Sequence, residues 1–519
     1  MSARKIALLI VIVLFAASVE TVWNVRGNVN IGPEGCRVMG GRFYGPSWTF
    51  ETSAERAVTA SPARLEIENA FGGVRVVKGA PGVVKVRLRK VVFLPTEQKA
   101  RELAERIELR LTEVAGRVKV GTNRDELGRR DDVGFETHLE VEAPPDSVAQ
   151  VRSEHGKVEL ADLAAADVQA SFDGVTIERV LHDVTLEVRH GGASVERVGG
   201  RLQLSARHGD VTLDDVGGPA KLDMQHGNLG AKQTGALEVE LAYGDMTADG
   251  VGGDLVVRGQ HAPVSVSDVA GRADVTTSFG GVRLERVGGD ARVKVEHGHV
   301  AASDVSGGFT GEASYDGVEL ERVRGPVELQ VKHGAASAKA LEGGARVRVS
   351  GDDVTLDGFA GAVDVEVERG SAKLAPRAAI RADVIASATH GGVELEVPDG
   401  SGFELEAESL RGQVDADIAG LRAQRDEARH HGQKLNGRQG AGGPQVRLKA
   451  DGDVSLAARP ARAVSESAVQ KPRTSAPAEA PATPAAKASP APTAKPSPSP
   501  SVKPSPSLPA EREAKPDAR

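Results

Sequence analysis

The sequence predicts an all-β protein: a single-chain parallel β-solenoid with ~18-residue two-strand coils, one N-terminal capping helix and a disordered, proline-rich C-terminal tail. Three observations predict it. First, a column of Gly156, Asp173, Gly191, Gly209, Gly227, Gly244, Ala262, Gly280, Gly298, Asp316, Gly334, Asp352 and Gly370 recurs at steps of 17 or 18 residues. A fixed internal period marks stacked supersecondary units. Second, apolar residues sit two and four places after that column, as in Val175/Ile177 and Val211/Leu213. They also sit five and three places before it, as in Leu186/Val188 and Leu204/Ala206. Alternation with period 2 is the mark of a half-buried strand. Third, a second glycine recurs nine residues past the column, at Gly200, Gly218, Gly253, Gly271, Gly289, Gly307, Gly325, Gly343 and Gly361. Each unit therefore reads strand, turn, strand, turn.

One such unit cannot bury its own apolar face, but stacked units can, each hydrogen-bonded to the next. Thirteen coils at about 4.8 Å each give a rod roughly 60 Å long, with a thin Val/Leu/Ala core between two parallel sheets. The 3% aromatic content of the 519-residue chain suits that core better than a compact enzyme. A net charge of −8 argues against nucleic-acid binding. The one cysteine, Cys36, excludes an internal disulfide framework and a four-cysteine zinc site.

Taken in order, residues 1–22 read as a signal peptide or N-terminal membrane anchor. Arg4 and Lys5 precede an apolar run from Ile6 to Ala17, and Ala16-Ala17-Ser18 offers small residues for cleavage. Either outcome places the remainder outside the cytoplasm. Residues 23–62 are Gly-rich and read as a linker or an irregular cap. Residues 63–150 are an N-terminal β-rich part with a helix over 96–110, opened by Thr96 as N-cap and carrying Leu103, Ile107 and Leu111 as an apolar stripe. Such a helix would shield the open end of the solenoid. Residues 151–458 hold the solenoid repeats. After Gly370 the spacing loosens to 21 residues at His390-Gly391 and Arg411-Gly412. Leu421 to Gly443 reads as an exposed loop, containing the isolated pair His430-His431, and Gln445 to Leu456 as the closing strands. Residues 459–519 hold 14 of the 27 prolines, with ten Lys/Arg against five Asp/Glu, the composition of a disordered polyproline-II tail.

Two further columns carry the candidate chemistry. The position before the reference column reads His155, Phe172, His190, His208, His226, Tyr243, His261, Phe279, His297, Tyr315, His333, Gly351, Arg369. Parallel coils stack these rings into one ladder. Neutral imidazole is a common metal ligand, and His190, His208 and His226 form the best metal candidate. Phe replaces His freely there and cannot ligate, so the reading preferred is a structural stack that plugs the corner of each coil. Positive charges about 5 Å apart repel, so acid is expected to loosen the rod. The second column is acidic: Glu178, Glu196, Asp214, Asp249, Glu285, Glu321 and Asp357, with Arg179, Arg197, Arg286 and Arg322 following directly. Calcium-binding rolls need G-G-x-G-x-D repeats, which this chain lacks, so this column reads as a solvated charged edge. No residue is assigned a catalytic, cofactor-binding or metal role, and no cofactor is expected.

The stretch Ala63–Leu456 resembles the bacterial putative-adhesin family of unknown function. The features that carry the resemblance are Ile67-Glu68-Asn69-Ala70-Phe71-Gly72-Gly73-Val74, the helix near Thr96, units such as Ser205-Ala206-Arg207-His208-Gly209-Asp210-Val211-Thr212-Leu213, and the closing Gly443-Pro444-Gln445-Val446-Arg447-Leu448. The resemblance implies a β-solenoid and supplies no catalytic residues.

The expected function is that of a non-catalytic exported cell-envelope protein, an adhesin or scaffold presenting a repetitive surface in the periplasm or at the cell surface. Its expected partners are cell-wall or surface polysaccharide, or an envelope protein, with no nucleic acid and with a membrane tether if the N-terminal segment is retained. The alternative is a membrane-anchored envelope-stress sensor acting through protein contacts. A β-helical polysaccharide-active enzyme is the least supported reading. It would need long loops with clustered acids and bases, whereas these turns are minimal and each polar column repeats.

Overall fold

The computed structural model describes residues 38–39, 42–43, 46–127, 134–427 and 432–459. The segment 1–22, Cys36, the pair His430-His431 and the tail beyond Arg459 lie outside the described residues. Among the described residues no helix is long and apolar enough to cross a membrane.

The repeat folds as its pattern dictates. In one coil, Val184, Leu186 and Val188 of the strand Val184–His190 point inward, and so do Ala193, Val195 and Val198 of the strand Ala193–Val198. Burying such side chains contributes about 1.5–3 kcal/mol each, but only if a neighbouring coil covers them. Neighbouring coils stack in register, so that Leu186 pairs with Leu204 and Val195 with Leu213. Like residues thus stack on like, and turns of one to four residues, with one of seven at 377–383, join the strands. The result is a parallel β-solenoid of about fourteen turns with ~18-residue coils, from Val148–His155 to Val393–Pro398. One sheet carries the ring column at its strand ends and is called here the ring-side sheet. The other is the corner-side sheet.

The turn glycines are needed by backbone geometry. At Gly209 φ is 138°, and a Cβ would lie 2.1 Å from the Gly191 carbonyl oxygen of the preceding coil. No side chain fits there without moving the stack.

At both ends the order of coils in space departs from the order in the chain. The coil of Arg64–Phe71 and Val74–Lys78 pairs on one side with Val148–His155 and Val158–Leu163. On its other side lie Arg117–Thr122 and Gly134–Ala143, which come later in sequence. The C-terminal end mirrors this. The last coil, Gln445–Ala450 with Val454–Arg459, is inserted between the coil of Val384–His390 and Val393–Pro398 and the coil of Phe403–Ser409 and Val414–Asp417. At the C-terminal end the chain returns to fill a gap one coil wide; at the N-terminal end it lays down the coil of 64–78 first, builds the tip outside it and then crosses to its other side.

Antiparallel strands then close the edges of both sheets at the N-terminal end and of the ring-side sheet at the C-terminal end. Leu109–Val114 covers Arg117–Thr122, Val83–Phe93 covers Gly134–Ala143, and Ser47–Ala57 covers Val83–Phe93. Gln433–Gln439 covers Phe403–Ser409, and Arg422–Glu427 covers Gln433–Gln439. Helix α1, Glu97–Arg106, packs on Ser47–Ala57 and Val83–Phe93 with Ala100 and Ala104 buried. Lys90 donates from Nζ to the Ala104 carbonyl at 2.8 Å, and burial pushes its amine down from the usual lysine value.

Several expectations need correction. Ser47–Ala57 is an 11-residue strand inside the expected linker, with Trp48 and Phe50 packed on the core. Its partner lies far away in sequence, so local pattern did not reveal it. Helix α1 ends at Arg106 because Ile107 turns extended, so Leu111 belongs to a strand; the buried stripe is Ala100, Ala104 and Ile107. Thr96 stands at the N-cap, but its hydroxyl makes no capping bond. The expected loop after Leu421 contains a β-hairpin, since Lys434 and Arg438 find Glu406 and Glu404 on the adjacent strand at 2.9 and 2.7 Å.

Candidate functional surface

The ring ladder is continuous. Twelve rings from Phe71 to His333 stack with centroids 4.3 to 5.4 Å apart. The spacing follows from the coil rise, because each ring leaves its strand at the same register. At the N-terminal end the Arg124 guanidinium covers the Phe71 ring at 4.3 Å and the Phe135 ring at 4.1 Å. The expected plug is corrected: the ladder stands outside the corner, with Phe172 43% and Tyr315 56% exposed. The core behind it is already filled by Val and Leu, so the rings have only one another to cover. Stacking occupies their faces and leaves their edges to solvent.

The metal candidate His190, His208 and His226 is brought together, with centroids 5.0 Å apart and planes within 3° of parallel. Equivalent nitrogens of such rings sit too far apart for one ion, which needs two imidazole nitrogens within about 4.2 Å of each other. Among the described residues no group of three or more His, Cys, Asp or Glu is placed to hold a metal ion.

The acidic column lies at the surface, and the column directly after it, of which Arg179, Arg197, Arg286 and Arg322 were read as surface charge, has a backbone conformation that sequence reasoning missed. One residue past the acidic position, every coil from Asp162 to Gly358 has positive φ, including Arg179 at 55°, Asp268 at 57° and Arg322 at 58°. This left-handed residue is an in-register bulge: two consecutive side chains face out, and the next, such as Val180, turns back into the core. Its occupants are Asp, Arg, Gln, Ala and Gly, with no β-branched residue. That avoidance was the available signal, since branching at Cβ is the least compatible with positive φ.

Asp and Arg of this column join successive coils. Arg179 forks onto Asp162 at 2.7 and 3.0 Å, Arg286 onto Asp268 at 2.6 and 2.8 Å, and Arg322 onto Asp304 at 2.6 and 2.9 Å. The guanidinium hydrogen bonds hold all three carboxyls below the usual carboxylate range. Each arginine also meets the acid beside it, as Arg179 meets Glu178 at 2.7 Å.

A third feature is a trough of about 820 Å³ across the ring-side sheet at the later coils. Its floor is Gly308, Pro326, Gly344 and Ala362, where other coils place Asp183, Arg201 or Asp254. Its walls carry Arg272, Asp274, Arg292, Glu328, Arg346 and Asp364. The run of four small residues in one column was the signal for it, unread because the position carries neither glycine nor alternation consistently.

No family model matches the chain, and no curated protein does. Among solved structures, a putative cell adhesion protein from Clostridium sporogenes is similar over 79% of this chain and 100% of its own, at 8% identity and a TM-score of 0.13. An overlay that loose carries no argument about fold or function.

Proposed function

We propose that this is a non-catalytic cell-envelope rod, an adhesin or scaffold that presents a repetitive surface to a partner outside the cytoplasm. The observation that carries the reading is the in-register repetition of outward positions over about fourteen turns. Strand for strand, Thr185 stacks on Gln203, Glu187 on Ser205 and His190 on His208. A surface built this way offers one geometry many times, which suits an extended partner; turns of one to four residues, with one of seven at 377–383, leave little chain to build a unique catalytic constellation. Export rests on residues 1–22. Membership of the bacterial putative-adhesin family is part of the same proposal, supported by the motif at Ile67–Val74 and by the solenoid.

The test is location and tethering together. Protease added to intact cells is expected to clip the segment after Arg459, and the mature chain is expected to begin after residue 18. A protected chain that keeps Met1 or Ser2 and pellets with membrane would replace the surface rod with an anchored sensor working through protein contacts.

A further inference from the structure

We propose that the trough over the later coils seats a linear, hydroxyl-rich glycan lying along the rod axis, about one sugar ring per coil. This deepens the function proposed above and rests on it. The first argument is shape. The trough runs from Arg272 to Asp383 across seven strands of the ring-side sheet, roughly 29 Å at about 4.8 Å per coil. Its four floor residues lie in consecutive coils, so the depression is elongated along the axis and fits a chain better than a compact molecule.

The second argument is period. The coil rise is close to the length of one pyranose ring in an extended glycan. A polymer laid along the axis therefore meets equivalent backbone geometry at each ring.

The third is chemistry. The lining mixes both signs: Arg272, Arg292 and Arg346 stand against Asp274, Glu328 and Asp364, and against Asp290 and Asp383, which already accept from the Gly308 and Gln445 backbone N–H groups. A polyanion would be repelled by the carboxylates and a polycation by the guanidinium groups. Neutral hydroxyls donate and accept, so they satisfy carboxylates and guanidinium groups alike. The fourth is availability. Arg346 leans on Asp364 at 3.4 Å. The side chains of Arg272, Asp274, Arg292 and Glu328 have no hydrogen-bond or ion-pair partner among the described residues. The corner forks, by contrast, are closed on themselves. The ring ladder cannot serve instead, because its faces are taken up by stacking.

The experiment uses the full chain in native gels cast with hydroxyethylcellulose, xylan or galactomannan, followed by calorimetry with the matching oligosaccharides. Retardation by at least one polymer is expected, with affinity rising up to about six sugar units and flat beyond. Arg292→Ala and Glu328→Ala should each weaken binding at least tenfold, as expected for a lost hydrogen bond to a charged group. Ala362→Trp should fill the floor and abolish binding. Arg207→Ala, far from the trough, should leave binding unchanged. If Ala362→Trp does not fold, the two wall variants decide. Binding indifferent to both wall variants, or no retardation by any of the three polymers, overturns the trough. Neither result bears on the protease test, so a surface-exposed chain that ignores these glycans sinks the trough alone. A glycan binder that is protected inside the cell sinks the surface rod alone.

Discussion

The middle of the rod and its two ends solve the same problem in opposite ways. In the middle, each coil lies beside the coils before and after it in sequence, and Leu186 meets Leu204 one repeat later. At the ends, partners come from far along the chain: Val74 meets Leu139, and Val393 meets Val454. A repeat can only propagate, because every coil exposes the edge that the next one needs. Stopping takes residues that break the repeat. Here they arrive as excursions that cross one coil position to build the tip and fold antiparallel strands over it, so that the coil beside the tip is the first in sequence at one end and the last at the other.

The largest effect should come from breaking that arrangement. Deleting residues 445–459 leaves the coil of Phe403–Ser409 and Val414–Asp417 without its parallel neighbour. Hydrogen exchange is expected to lose protection throughout 403–439. Deleting 193–210, one whole middle repeat, should leave a shorter rod that still unfolds cooperatively; equal damage from both deletions would erase the distinction. Next in size is the turn glycine. Gly209→Ala should cost about 3 kcal/mol or more in urea unfolding, since its Cβ has no room at positive φ. Gly217→Ala, whose Cβ would find its nearest neighbour at 3.6 Å, should be close to neutral.

Smaller effects sharpen the picture of the middle as uniform columns. Thr234 sits in a column with Val198, Val216, Val251 and Val269, and its buried hydroxyl has no hydrogen-bond partner. Thr234→Val should therefore raise stability by about 1 kcal/mol. His208→Ala, which opens the ring stack, should cost about 0.5–1.5 kcal/mol, whereas His208→Phe should cost little.

The smallest effect is that of pH on the corner forks. Asp162, Asp268 and Asp304 have folded-state pKa values below the ordinary carboxylate value. The unfolded chain therefore binds more protons in that range, and stability rises with pH. The contribution is present above the ordinary carboxylate pKa and is lost as pH falls through the depressed one. The drop in urea midpoint below about pH 4 should shrink in the Asp268→Asn, Asp304→Asn double variant. It should be modest, since these pairs are about half exposed.

What could be read in advance follows the same division. The coil, its two sheets and the ring ladder were legible because each rests on a column of like residues at a fixed step, from Val158 to Leu374. The exchanged coil order was not, because Gln445–Ala450 looks like any other strand and nothing in it says which neighbours it will take. Ser47–Ala57 was missed for the same reason. The left-handed corner was legible in principle, in a column that avoids Val, Ile and Thr, but Asp and Arg there read more readily as surface charge. The trough was hidden because it is made by what four positions lack.

The exchanged order at the C-terminal end also means that the last described strand is not the end of the rod. The tip is built by residues 403–439, while Arg459 leaves from a strand hydrogen-bonded along both edges, to Val393–Pro398 and Val414–Asp417. A mechanical load applied beyond Arg459 therefore cannot peel coils away one at a time, as it could from a simple repeat array. It must break two hydrogen-bond ladders together before the first middle coil is exposed. A rod held by that end would give way late and abruptly under tension.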